Sequence, residues 1–149
     1  MTNNNRLPLI PHILVIDDVE DDLELAKMAL KQIKTEYRVT TCQHGREALD
    51  ILNDPSIPYP DLILLDWKMP RMSGLDVLKI LKAPNSKHKH IPVCIFTTST
   101  SPIDIAQAYE NYANVYIEKP INFSDLITLL NHSSLYWLQT ATLLPKNKL

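Results

Sequence analysis

Five side chains in this sequence sit where short apolar runs end, and together they could do phosphoryl chemistry. Asp17 and Asp18 follow Ile13-Leu14-Val15-Ile16, Asp66 follows Leu62 to Leu65, Thr97 follows Val93 to Phe96, and Lys119 follows Val115-Tyr116-Ile117 by one residue. Three carboxylates brought into one pocket repel: two unit charges 4 Å apart cost about 4 kcal/mol at an effective dielectric of 20. A hard divalent cation relieves that repulsion, and Mg2+ favours one or two carboxylates with waters and phosphate oxygens. A carboxylate nucleophile, a metal and donors around the equatorial oxygens are the parts that phosphoryl transfer needs.

These residues meet only if the strands carrying them end at the same edge, and the pattern along the chain predicts that they do. The apolar runs at 13–16, 62–65 and 93–96 are continuous, as in strands of a parallel sheet covered on both faces. Tyr37 to Cys42 alternates like an edge strand, and Val115 to Ile117 is short. Between them fall helical spacings: Asp21 to Lys34 with Leu23, Ala26, Leu30 and Ile33 on one face, Gly45 to Asn53, Leu75 to Lys82, a helix from Pro102, and Asn122 to Gln139. Asp21 and Glu24 read as a capping box, and Asp21, Asp22 and Glu24 as ordinary helix-start acids. Ser101-Pro102-Ile103-Asp104 is a helix start with Ser101 as N-cap, and Asn122 caps the last helix.

The order βαβαβαβαβα with right-handed crossovers gives an α/β fold: a doubly wound (βα)5 three-layer sandwich with a parallel five-stranded sheet of order 2-1-3-4-5. Sites in such sheets form outside the carboxyl ends of the strands. In the segment LILLDWKMPRMSG, the strand holds Asp66, Pro70 fixes the chain direction, and Gly74 is expected to adopt a backbone shape that other residues resist.

Composition bounds the function. The 149 residues suit one domain, and 45% hydrophobic with 21% charged residues is ordinary for a globular chain. A net charge of -2 argues against nucleic acid as a partner, and no apolar run reaches membrane-spanning length. Cys42 and Cys94 lie in strand-like runs and read as buried free thiols of a cytoplasmic protein. The two glycines build no Gly-rich phosphate loop. His88 and His90 in the KHKH stretch read as a solvated loop. Trp67 is either core or a stacked residue at the pocket mouth. Residues 1–11 read as a flexible leader, 12–139 as the domain and 140–149 as a tail.

The motifs IDD, LILLDWKMPRMSG, FTT and EKP, in this order over residues 12 to 131, resemble the receiver domain of two-component response regulators, the CheY-like, flavodoxin-like family. The resemblance implies that Asp66 is the phosphorylated nucleophile, fed by a sensor histidine kinase. It implies that Asp18 ligates Mg2+ directly, that Asp17 acts mainly through water, and that Lys68 offers its backbone carbonyl. It further implies that Thr97 bonds the phosphoryl group, that Lys119 pairs with it, that the Lys119-Pro120 peptide bond is cis, and that Tyr116 is a switch aromatic turning inward when Thr97 moves. The Lys68 ammonium would sit beside the path of an attacking water. SLYWLQTATLLP, the DPSIPYP loop and FTTSTSP are similar to the single-domain regulators partnered with bacterial phytochrome kinases, which implies a homodimer with Tyr136, Trp137 and Leu138 at its interface. The competing classes are weaker. Phosphohydrolases of similar topology carry an acid where Lys68 stands, so an enzyme is not expected; a phosphorylation-independent binding module would not need this residue set; a flavin carrier would need a phosphate loop after the first strand.

Overall fold

In the structure, a computed structural model, residues 10–144 are described; residues 1–9 and 145–149, most of the expected leader and half of the expected tail, lie outside them. Strands β1 (His12–Ile16), β2 (Arg38–Cys42), β3 (Leu62–Leu65), β4 (Val93–Thr97) and β5 (Val115–Glu118) alternate with helices α1 (Glu20–Lys31), α2 (Gly45–Asn53), α3 (Gly74–Leu81), α4 (Pro102–Glu110) and α5 (Phe123–Leu135). The sheet is parallel in the order β2-β1-β3-β4-β5, as the alternation of patterns predicts.

Strand side chains alternate between faces, and each face has its own core. Leu14, Ile16, Ile63, Leu65, Val93 and Ile95 pack under Ala48, Leu49 and Leu52 of α2, Val77, Leu78 and Leu81 of α3, and Ala108 of α4. Ile13, Val15, Leu62, Leu64, Cys94 and Phe96 pack under Leu23, Ala26 and Leu30 of α1 and Leu126 and Leu130 of α5. Burial on both faces explains the unbroken apolar runs of β1, β3 and β4, which are fully buried, whereas the edge strands β2 and β5 are not. Cys42 and Cys94 are buried free thiols, and burial pushes each up to about 12. No helix among the described residues is long and apolar enough to cross a membrane.

Several local expectations change. α1 has no capping box: Val19 is its N-cap without a side-chain bond, and Glu24 pairs outward with Lys27 at 3.4 Å. The capping box belongs to α3, where Ser73 and Asp76 exchange bonds of 3.0 and 3.2 Å. Ser101 and Asn122 cap α4 and α5 as read from sequence. α5 is shorter than expected and passes into one wide π turn over Tyr136–Thr140. His88 is not solvated. It is buried, stacked on Tyr59 with ring centroids 5.6 Å apart, and bonded through Nδ1 to the Tyr59 hydroxyl at 2.7 Å. No peptide bond among the described residues is cis, the one before Pro120 included.

Gly74 meets a different demand from the one its sequence context suggests. Its φ is not positive; the left-handed residue of this loop is Arg71, at φ 66°. A Cβ on Gly74 would instead collide with the Asp66 carbonyl oxygen and lie 2.8 Å from the Trp67 Cα. The glycine lets α3 start directly against the end of β3.

Candidate phosphoryl and cation site

The sheet ladder runs one residue past the strand ends, and this sets the site. The Asp17 amide donates to the Cys42 carbonyl at 3.1 Å, that of Asp66 to Ile16 at 2.9 Å, and that of Lys119 to Thr97 at 2.8 Å. The strands therefore release these residues at one level, above the carboxyl rim of the sheet. Carboxylate oxygens of Asp17, Asp18 and Asp66 lie within 4.8 Å of one another. Asp17 and Asp66 are buried, and Asp18 is half-buried at the mouth.

Lys119 reaches into this cluster. Its ammonium donates to Asp17 Oδ2, to Asp22 Oδ2 at 3.1 Å, and lies 3.8 Å from Asp66 Oδ2. It also stands 5.7 Å from the centre of the Phe96 ring, within range of a cation–π contact. Burial alone would lower its pKa, but the bond and charge of Asp17, the charge of Asp66 and the bond of Asp22 outweigh that and raise it. Asp22 is thus a member of the site rather than only a helix-start acid.

Asp66 has the opposite problem. Its Oδ1 accepts the Trp67 amide at 2.8 Å, and the neighbouring Thr97 side chain also favours its charged form. Burial nevertheless raises its pKa from 3.8 to about 6, with Asp17 adding to the rise and Lys119, Thr97 and Trp67 opposing it. One ammonium does not neutralise three acids, and the hard oxygen donors left over fit a divalent cation.

The folded, cation-free protein therefore keeps the Asp66 proton up to about pH 6, whereas the unfolded chain releases it near 3.8. Ionisation costs the fold stability as pH rises through that window, and the full cost applies above it. Asp66→Asn is expected to raise unfolding free energy without divalent cations by about 1–2 kcal/mol at pH 7.5 and by almost nothing at pH 4, read from urea titrations. An equal gain at both pH values would contradict a buried, charged Asp66.

The neighbours of the cluster were only partly foreseeable. Trp67 is core, 5% exposed, with its ring on the α2–α3 side. The Lys68 ammonium does not act on Asp66; it pairs with Asp104 Oδ2 at 3.4 Å. Asp104, buried in the first turn of α4, also accepts the Ser99 hydroxyl at 2.5 Å. Tyr116 donates its hydroxyl to the Ser99 carbonyl at 2.8 Å, so the expected switch aromatic is tied to the β4–α4 loop. Of the three residues expected at an interface, Trp137 and Leu138 pack on the α1–α5 core of their own chain, and Tyr136 is exposed. The wide turn explains this split, because it shifts the phase of side chains that a continuing α-helix would have presented.

A parallel sheet of this order, with acids after β1 and β3, a hydroxyl after β4 and a lysine after β5, defines a CheY-like domain. The response regulator receiver domain model matches residues 13–131, and the chain belongs to that family. It is 33% identical to the response regulator Rcp1 of Synechocystis sp. over 147 residues, covering 96% of this chain and 98% of the relative. The phosphorylated cyanobacterial phytochrome response regulator RcpA superposes with a TM-score of 0.84 at 33% identity, over 92% of this chain and all 100% of the other. The Mn2+-bound form of Rcp1 gives a TM-score of 0.80 at 32% identity, over 91% and 99% of the two chains.

Proposed function

We propose that this response regulator takes a phosphoryl group onto Asp66 from a sensor histidine kinase of the phytochrome type. It does so with Mg2+, in the cytoplasm, and with neither nucleic acid nor membrane as a partner. The observation that supports this best is the buried Asp66 carboxylate with Lys119 at 3.8 Å and two further acids beside it. Likeness to a phytochrome response regulator over nearly the whole chain supports the kinase class.

An Asp66 carboxylate oxygen attacks phosphorus, the new P–O bond forms as the P–N bond to the kinase histidine breaks, and the freed imidazole takes a proton from solvent. Asp66 must be ionised to attack, and with a pKa of about 6 it is so at neutral pH. Asp17, Asp18, Asp66 and the Lys68 carbonyl would hold Mg2+, which supplies charge neutralisation at the phosphoryl oxygens. Lys119, held by Asp17 and Asp22, is placed to meet one such oxygen. Thr97, at the end of β4 beside Asp66, can turn its hydroxyl to another.

The output is a population shift in the β4–α4 loop, carried through Ser99 and Tyr116. Exposed Ile103 and Tyr109 of α4 and Tyr112 just after it offer apolar surface that suits a second copy of the chain.

Acetyl phosphate with Mg2+ is expected to add one phosphoryl mass to the wild type and none to Asp66→Asn, by intact mass spectrometry. Without Mg2+ the adduct should disappear. Labelling of Asp66→Asn to the wild-type level would refute Asp66 as the acceptor.

A further inference from the structure

Lys68 stands two residues from Asp66, yet its charge is engaged elsewhere. Its ammonium pairs at 3.4 Å with Asp104, on the first turn of α4, and that carboxylate is 12% exposed while the lysine is 69% exposed. The same Asp104 Oδ2 accepts the Ser99 hydroxyl at 2.5 Å. Ser99 in turn hands its amide to Thr97 Oγ1 at 3.3 Å and its carbonyl to Tyr116 at 2.8 Å. One carboxylate thus joins the loop after β3, the loop after β4, the start of α4 and, through Ser99, the aromatic on β5.

We infer that Asp104 is a positioning residue that holds Lys68 and Ser99 in the unphosphorylated arrangement and competes with the Asp66 phosphoryl group for the Lys68 ammonium. The inference rests on the receiver reading above. Phosphorylation would place nearly two negative charges on Asp66, on the same short segment as Lys68. A lysine is a mobile point charge on a long stem, and this one is mostly in solvent, so exchanging one anion for another needs no core rearrangement. Once Lys68 leaves, Asp104 keeps the Ser99 hydroxyl and its place in the first turn of α4. The clamp between the β3–α3 loop and α4 weakens, and the β4–α4 loop is free to follow Thr97. Asp104 therefore opposes the phosphorylated state, and removing its charge should favour it.

The test is a double-mutant cycle on the full chain, with beryllium trifluoride and Mg2+ as the phosphoryl mimic and calorimetry as the readout. Asp104→Asn is expected to tighten binding of the mimic about threefold, the size set by one partly exposed ion pair. In a Lys68→Met background the same substitution should change binding by much less. Asp104→Glu should restore the wild-type affinity, which a merely structural role for the helix start would not require. An equal effect of Asp104→Asn in both backgrounds would overturn the inference, since Asp104 would then act by direct repulsion of the phosphoryl group. A wild type that binds the mimic while Asp104→Asn matches it would also overturn it, and would leave the receiver function standing. A wild type that neither binds the mimic nor takes phosphate from acetyl phosphate would remove both.

Discussion

Lys119→Met is expected to destabilise the protein by about 2–4 kcal/mol at pH 8 without divalent cations, because removing one partner of a buried pair strands the other charge. Here it strands three, since Asp17, Asp22 and Asp66 all face this ammonium. The methionine keeps the packing over Phe96 and loses only the charge. The cost should therefore shrink in two ways that a packing defect would not. Lowering the pH to 5 protonates Asp66, whose pKa is about 6 even with the lysine present. Adding Mg2+ supplies positive charge to the same oxygens, so the variant should gain more stability from it than the wild type does. Urea unfolding at both pH values, with and without Mg2+, reads all four conditions. A loss that ignores pH and Mg2+ would mean that the lysine stabilises the fold only through its stem.

The second large effect belongs to Gly74. An alanine Cβ there would overlap the Asp66 carbonyl oxygen and lie 2.8 Å from the Trp67 Cα and 3.1 Å from the Asp66 carbonyl carbon. All three are backbone atoms at the end of a buried strand, with no rotamer to give way. The Gly74 amide also donates to the Trp67 carbonyl at 3.0 Å, which fixes the separation from the other side. We expect Gly74→Ala to cost about 3 kcal/mol or more, above the usual overpacking range. It should also weaken Mg2+ binding several-fold, because the segment displaced carries Asp66 and the Lys68 carbonyl. Gly45→Ala is the internal control. Its Cβ would meet Val77 Cγ2 at 2.7 Å and Met72 Cγ and Sδ at 2.8 and 2.9 Å. Those are side-chain atoms, and the methionine can turn aside, so about 1 kcal/mol is expected. Equal losses at the two positions would show that backbone rigidity beneath Asp66 is not the deciding factor.

These two cases mark what was legible in the sequence. Asp17, Asp18, Asp66, Thr97 and Lys119 could be placed together because each follows an apolar run, and parallel strands release their ends at one rim. The strand order and the two-faced core followed from the same pattern. Gly74 was recognised as necessary for the wrong reason: sequence suggests backbone freedom, whereas the structure needs empty space beside a strand eight residues earlier. Asp22 looked like every other acid at a helix start; only the fold brings a lysine 97 residues away onto it. Asp104 falls in a helix-start motif, and its pairing with Lys68 and Ser99 depends on how α4 is set against two loops. His88 lies in a lysine-rich stretch whose composition suggests solvent, yet Tyr59 draws it inward. Period and composition report on one element at a time, and contacts between loops leave no trace in either.

The central position of β1 has a consequence for the order in which the molecule assembles. β1 pairs with both β2 and β3, so the first 66 residues supply three adjoining strands and all three carboxylates of the rim. The ammonium that quiets them arrives only with β5, beyond two further crossovers. If strands dock in the order of synthesis, the nascent half-sheet gathers its negative charge before its own counter-charge exists. Repulsion then works against early docking at that edge, and cations in the surrounding water become participants in folding as well as in signalling.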